Sequence, residues 1–147
     1  MTDEIKTVPL RPGQTLVING AVVRMGADGL SLDLDLKTPV LTEDDLLSED
    51  EATTPAKRIY FLLLVMYLDP SSYDATYLPF MDRVIELLQA TSIREVRENL
   101  RIIVQCVDTG RQYEALQACR ALVLFEKEVL SIAGESAQGS PEASGAA

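Results

Sequence analysis

The chain has no histidine, no tryptophan, two cysteines and few basic side chains: 13 Lys and Arg stand against 23 Asp and Glu, a net charge of -10 over 147 residues. Each scarcity removes a class of function. Without histidine there is no imidazole for proton transfer near neutral pH. Two cysteines alone do not complete a protein-only zinc site; Cys106 and Cys119 are read as buried free thiols within helices. The acidic excess is spread evenly, with no basic tail or domain, which argues against strong nonspecific binding to phosphates but leaves room for a local patch. The opening MTDEIKT is acidic and lacks an apolar core, so no signal peptide is expected. The longest apolar run, within residues 59–68, is too short to span a bilayer, and a cytoplasmic protein without a membrane partner is expected. There is no Walker loop and no dinucleotide fingerprint, and no base stands beside a Ser or Cys nucleophile. No enzyme, metal or cofactor is therefore expected.

What is present is organised around EATTPAKRIYFLLLVMYLDP, residues 51–70. Thr54 suits an N-cap and Pro55 the first helical position, where its missing N–H is harmless. Pro70 sets the stop near Asp69. Before this helix the apolar period is two. Residues 5–11, 16–18 and 21–25 read as short strands joined by a turn at Arg11-Pro12-Gly13-Gln14 and a hairpin at Asn19-Gly20. After a turn at Gly26–Gly29, the leucines at 30, 32, 34 and 36 alternate with Ser31, Asp33, Asp35 and Lys37, and Val40-Leu41 adds a short piece. After the helix the period is about 3.6. Helices are expected from Tyr73 towards Ala90, with Pro79 starting, kinking or splitting the segment, then from a Ser92/Glu95 capping box to Gly110, then over 111–130. The expected fold is α+β: a small antiparallel β domain of four to five strands (1–50), a bundle of about four helices (51–131) and a disordered tail (132–147).

Three groups of polar residues are candidates for binding RNA or a partner protein. Thr53, Thr54, Lys57 and Arg58 surround a helix N-terminus, whose free N–H groups suit a phosphate or carboxylate; the plainer reading is a cap whose cations pair with the acids of Glu43–Glu51. Arg94, Arg97 and Arg101 form a ridge to which Arg111 adds, suited to phosphate forks or else paired with Glu95 and Glu98. Lys6, Arg11 and Arg24 make a third patch if their strands are adjacent. Tyr60, Phe61, Tyr67, Tyr73 and Tyr77 can stack on bases or fill the core. Asp33 and Asp35 share a face that is read as solvated, and Asp44 and Asp45 as linker.

LRPGQTLVINGAVVR, the alternating strand after it, EATTPAKRIYF, the Asp-Pro beyond the helix and the later GRQYEALQACRAL together resemble the FlbT family of flagellum biosynthesis regulators over about residues 8–130. Arg11 stands where that family often has Lys, and Gln14 where it often has Glu. The resemblance implies a protein that binds the 5′ untranslated region of flagellin mRNA and promotes its decay or blocks its translation, although some members act positively. It carries over Pro12, Gly13, Asn19, Gly20, Ala52, Thr53, Thr54 and Pro55 as signature residues. The N-terminal half also resembles the carbon storage regulator, a small β RNA-binding dimer, which implies pairing of the β unit with a second copy; short strands with free edges favour a homodimer or higher homo-oligomer on their own. The competing reading is an adaptor or chaperone that holds flagellin or another flagellar regulatory protein and affects the mRNA indirectly. A convergent basic patch beside an exposed aromatic points to the first, an apolar groove between helices to the second.

Overall fold

A computed structural model describes the backbone of residues 4–26 and 31–146 and the side chains of 4–26 and 32–130. The expected turn at Gly26–Gly29 lies mostly outside the described residues, as do Leu30 and the side chains of the expected tail.

Five strands precede four α-helices, as the alternation predicts: β1 (Ile5–Pro9), β2 (Thr15–Ile18), β3 (Ala21–Arg24), β4 (Ser31–Asp35), β5 (Val40–Leu41), α1 (Pro55–Leu68), α2 (Tyr73–Ala90), α3 (Arg94–Asp108) and α4 (Gln112–Ala146). All pairing is antiparallel, but the strands divide into two sheets, β1-β4 and β3-β2-β5. The turns do what their residues require. Gly13 takes φ +75° and Gln14 N–H donates to the Arg11 carbonyl at 3.1 Å, closing the β1–β2 link. Asn19 (φ 50°) and Gly20 (φ 85°) both take positive φ, the conformation a two-residue hairpin demands. In the second ribbon Thr7 lies opposite Asp33 and donates its hydroxyl to that carboxylate at 2.7 Å, so Asp33 is a solvated cross-strand partner.

The apolar character of α1 extends around its whole circumference, as befits a helix enclosed on most sides. Ile59 and Leu63 are fully buried, and α1 packs against both α2 and α4. Val17 of β2 and Leu41 of β5 join the same apolar cluster as Phe80, Leu100, Ile103 and Leu116. Among its described residues the β1-β4 ribbon contributes none to that cluster, and Ile5 of β1 and Leu36 just after β4 remain 63% and 49% exposed. Cys106 and Cys119 are both free and buried.

Helix ends follow the local sequence in most places. Thr54 caps α1 by accepting from Lys57 N–H, with Pro55 at the first position. Ser48 and Glu51 form the anticipated capping box around a 3-10 turn, and Thr42 with Asp45 forms another. Gly110, at φ +76°, ends α3: its N–H reaches the Val107 carbonyl at 3.1 Å and Arg111 N–H the Cys106 carbonyl at 2.7 Å. This is the paired closure that a left-handed glycine permits. The helix expected from Tyr73 towards Ala90 is found with those bounds, and of the alternatives for Pro79, starting and splitting are excluded, since α2 runs through it as one helix. One expectation needs correction. Ser92 and Glu95 form no capping box, because the N-cap of α3 is Ile93, whose N–H is held instead by the Thr91 hydroxyl at 3.1 Å.

Candidate functional site

The N-terminus of α1 is the first of the three candidate groups, and the protein fills it with its own anion. Glu126 of α4 accepts from Ala56 N–H at 3.0 Å and from the Thr54 hydroxyl. An outside phosphate would have to displace this carboxylate, and nothing in the spacing of Thr54 and Glu126 announces the pairing. Thr53 and Arg58 are exposed, Lys57 half-buried. Among the described residues neither Lys57 nor Arg58 forms an ion pair with the acids of Glu43–Glu51. Two of those acids have other partners: the exposed Glu51 accepts from Ser48, which holds its carboxyl below the usual range, and Asp45 pairs with Arg120 of α4 at 3.1 Å.

The strand patch is not assembled by pairing. Lys6 lies on β1 and Arg24 on β3, in different sheets, so strand pairing does not bring them side by side. Lys6 Nζ donates to the Thr38 carbonyl at 2.5 Å. Arg11 borders a hollow of about 400 Å³ together with Glu43 and Asp44.

The third group does converge. Arg94, Arg97 and Arg101 all line one groove of about 790 Å³ between α2 and α3. Its walls include Met81, Val84, Leu88, Leu100 and Val104, and Glu98 and Asp108 add acid to the rim. The three arginines are engaged to different degrees. Arg97 donates to the Leu88 and Thr91 carbonyls at 2.7 and 3.4 Å, covering the C-terminal end of α2. Arg101 pairs with Glu98 at 2.5 Å, with the two side chains 64% and 57% exposed. Its hydrogen bond, then its charge, holds the Glu98 carboxyl below the usual range. Arg94 forms no ion pair among the described residues.

The aromatic residues are mostly committed to the fold. Tyr60 is buried and donates to the Asp45 carbonyl at 2.5 Å. Tyr77 donates to Asp108 at 2.8 Å and stands 5.6 Å, centroid to centroid, from Tyr73. Tyr67 differs. Its ring lies 5.9 Å from Tyr113, and its buried hydroxyl has no hydrogen-bond partner of normal geometry. Burial, with Tyr113 adding to it, pushes this phenol above its usual pKa, while the Gly20 backbone close by opposes the shift. Tyr67 and Tyr73 line a cavity of about 610 Å³ with Asn19, Gly20, Met66 and Gln112. Reading the sequence did not single this cavity out; its contributors are spread over more than ninety positions.

Among the described residues no cluster of His, Cys, Asp and Glu is arranged to hold a metal ion, and no helix is long and apolar enough to cross a membrane. The fold is that of a small α+β protein whose concave surfaces gather guanidinium, amide and phenol groups. The chain belongs to the FlbT family: the family model described as "Flagellar protein FlbT" matches residues 7–130. It is 38% identical over 121 residues to a probable flagellum biosynthesis repressor protein FlbT of Caulobacter sp. (strain K31), covering 82% of this chain and 92% of that one. It is 36% identical over 121 residues to the flagellum biosynthesis repressor protein FlbT of Caulobacter vibrioides (strain ATCC 19089 / CIP 103742 / CB 15), covering 82% and 86%. A probable FlbT repressor of Rhodopseudomonas palustris (strain TIE-1) is 32% identical over 126 residues, covering 84% and 96%. No solved structure gives a significant match.

Proposed function

We propose that this chain is a cytoplasmic regulator of flagellum biosynthesis that acts after transcription, binding the 5′ untranslated region of flagellin mRNA and lowering its translation or lifetime. The regulatory part of this reading rests on relatives named as flagellum biosynthesis repressors. The observation that supports RNA as the target is the groove between α2 and α3, where Arg94, Arg97 and Arg101 line one surface. Guanidinium forks suit phosphate oxygens. The exposed Arg101–Glu98 pair is no obstacle, because such pairs contribute only about 0–1 kcal/mol and exchange readily for a phosphate. The protein has no catalytic role in this reading; decay is left to nucleases that find the message exposed.

The apolar walls of the same groove favour a second reading, in which an amphipathic helix of flagellin or another flagellar protein docks there and the message responds indirectly. The two are separated by measuring binding of the purified chain to leader RNA and to flagellin in parallel, with native mass recorded. For direct RNA binding, changing Arg94, Arg97 and Arg101 together to Ala should weaken RNA affinity and flatten the salt dependence by about 2 in log K per log salt. Helical content should be largely retained, since all three side chains are exposed and the Arg97 bonds to the Leu88 and Thr91 carbonyls touch only the end of α2. RNA affinity unchanged in this variant, or absent in the parent chain while flagellin binds, would remove direct message recognition.

A further inference from the structure

We infer that the cavity between the β2–β3 hairpin tip and the start of α4 is a pocket for one unpaired RNA base. This rests on the RNA-binding reading above and assigns to it a base-reading site separate from the arginine groove. The cavity brings together three segments far apart in the chain: Asn19-Gly20 at the hairpin tip, Pro70 after α1 and Gln112 at the start of α4. Each belongs to one of the motifs on which the family resemblance was built, yet local structure accounts for only part of what they carry. The hairpin needs Asn19 for its positive φ but not for its amide. Gly110 ends α3, whereas Gln112 has no capping duty among the described residues.

The chemistry of the lining selects the ligand class. Among the described residues no charged side chain lines the cavity, a lining that suits a neutral ligand over a phosphate or an ammonium group. Tyr67 and Tyr73 supply ring surface, and every base has a flat π-face to lay on it. The side-chain amides of Asn19 and Gln112 make no hydrogen bond among the described residues, so each can both donate to and accept from a base edge. The Tyr67 hydroxyl is closed off from solvent and lies beside the Gly20 backbone, so the ring and not the hydroxyl is what Tyr67 offers a base. At about 610 Å³ the space lies within the ~300–1,000 Å³ usual for small-ligand sites.

The position relative to the arginines fits a continuous strand. The groove reaches Asp108 and Thr109, and the cavity reaches Gln112, so the two flank the same α3–α4 turn. Arg111 lies between them, exposed and steadied by a 2.9 Å bond to the Thr109 hydroxyl. A single strand crossing this turn would set its phosphates near the arginines while one base enters the cavity. A duplex, with its bases stacked and paired, would not offer that base.

The test uses the full chain with the flagellin leader RNA. The double variant Asn19→Gly and Gln112→Met keeps the hairpin's positive φ and the helix while removing both amides. Binding by the double variant should be roughly ten-fold weaker or worse, with an unchanged salt slope, because phosphate contacts are intact. Circular dichroism and the thermal midpoint verify the fold. In the unsubstituted chain, the side-chain amide NMR signals of Asn19 and Gln112 should shift with a single-stranded leader segment and not with the same segment annealed to its complement. Full affinity in a folded double variant, or amide signals that ignore bound RNA, overturns the pocket while leaving the regulator reading standing. A parent chain that binds no leader RNA overturns both.

Discussion

Replacing Glu126 by Ala tests the contact that ties α4 to the start of α1. The Glu126 carboxylate accepts from the Ala56 amide and the Thr54 hydroxyl, and it faces the positive end of the α1 dipole. Hydrogen bonds to a charged group contribute about 1.5–3 kcal/mol each when well shielded. Glu126 is only half-buried, so solvent screening reduces that figure. The net expected loss is about 2 kcal/mol, a fall in melting midpoint of roughly 4–8 °C for a chain of this size. Urea unfolding followed by circular dichroism at fixed pH and salt measures the difference. Glu126→Gln should recover part of it, since the amide oxygen still accepts one bond. Sulfate should also stabilise the Ala variant more than the parent, because the vacated Ala56 amide and Thr54 hydroxyl can take up an outside anion. An Ala variant within about 0.5 kcal/mol of the parent, with the same response to sulfate, would show that the carboxylate does not occupy the helix end in solution.

Two further outcomes follow from the helix ends and the core. Gly110→Ala should cost about 1 kcal/mol in urea unfolding; an added Cβ meets nothing within 4 Å, so the whole effect comes from forcing an alanine to φ +76°. Burial, followed by the Glu126 charge, pushes the Cys119 thiol well above its ordinary range, so the folded chain keeps a proton that the unfolded chain releases near pH ~8.5. Stability should be complete below that pH and fall at higher pH by up to about 1.4 kcal/mol per unit. Cys119→Ala should reduce that slope, and an identical slope in the variant would reject the assignment.

Local chemistry made much of this fold legible. Thr54-Pro55, Asn19-Gly20 and Gly110 each meet a backbone requirement that few other residues satisfy, and each stands where the sequence puts it. The α+β order follows from the change in apolar period. What the sequence conceals is non-local. Nothing in the alternation of β4 says that it pairs with β1 and leaves β3 as an edge of the other sheet. The Ser92/Glu95 spacing is correct for a box, but the chain enters α3 one residue later, with Thr91 holding Ile93. Of the candidate residues, Arg94, Arg97 and Arg101 were found together because one helix carries them. Glu126 was missed because its target lies 72 positions earlier, and the cavity around Tyr67 because three separate segments build it.

The Glu126 contact also sets an order of events during synthesis. Residue 54 leaves the ribosome long before residue 126, so until the fourth helix is translated the Ala56 amide at the start of the first lacks its carboxylate, while the Thr54 cap on Lys57 is already in reach. A nascent chain halted short of that glutamate would carry an open anion receptor that the finished protein keeps closed.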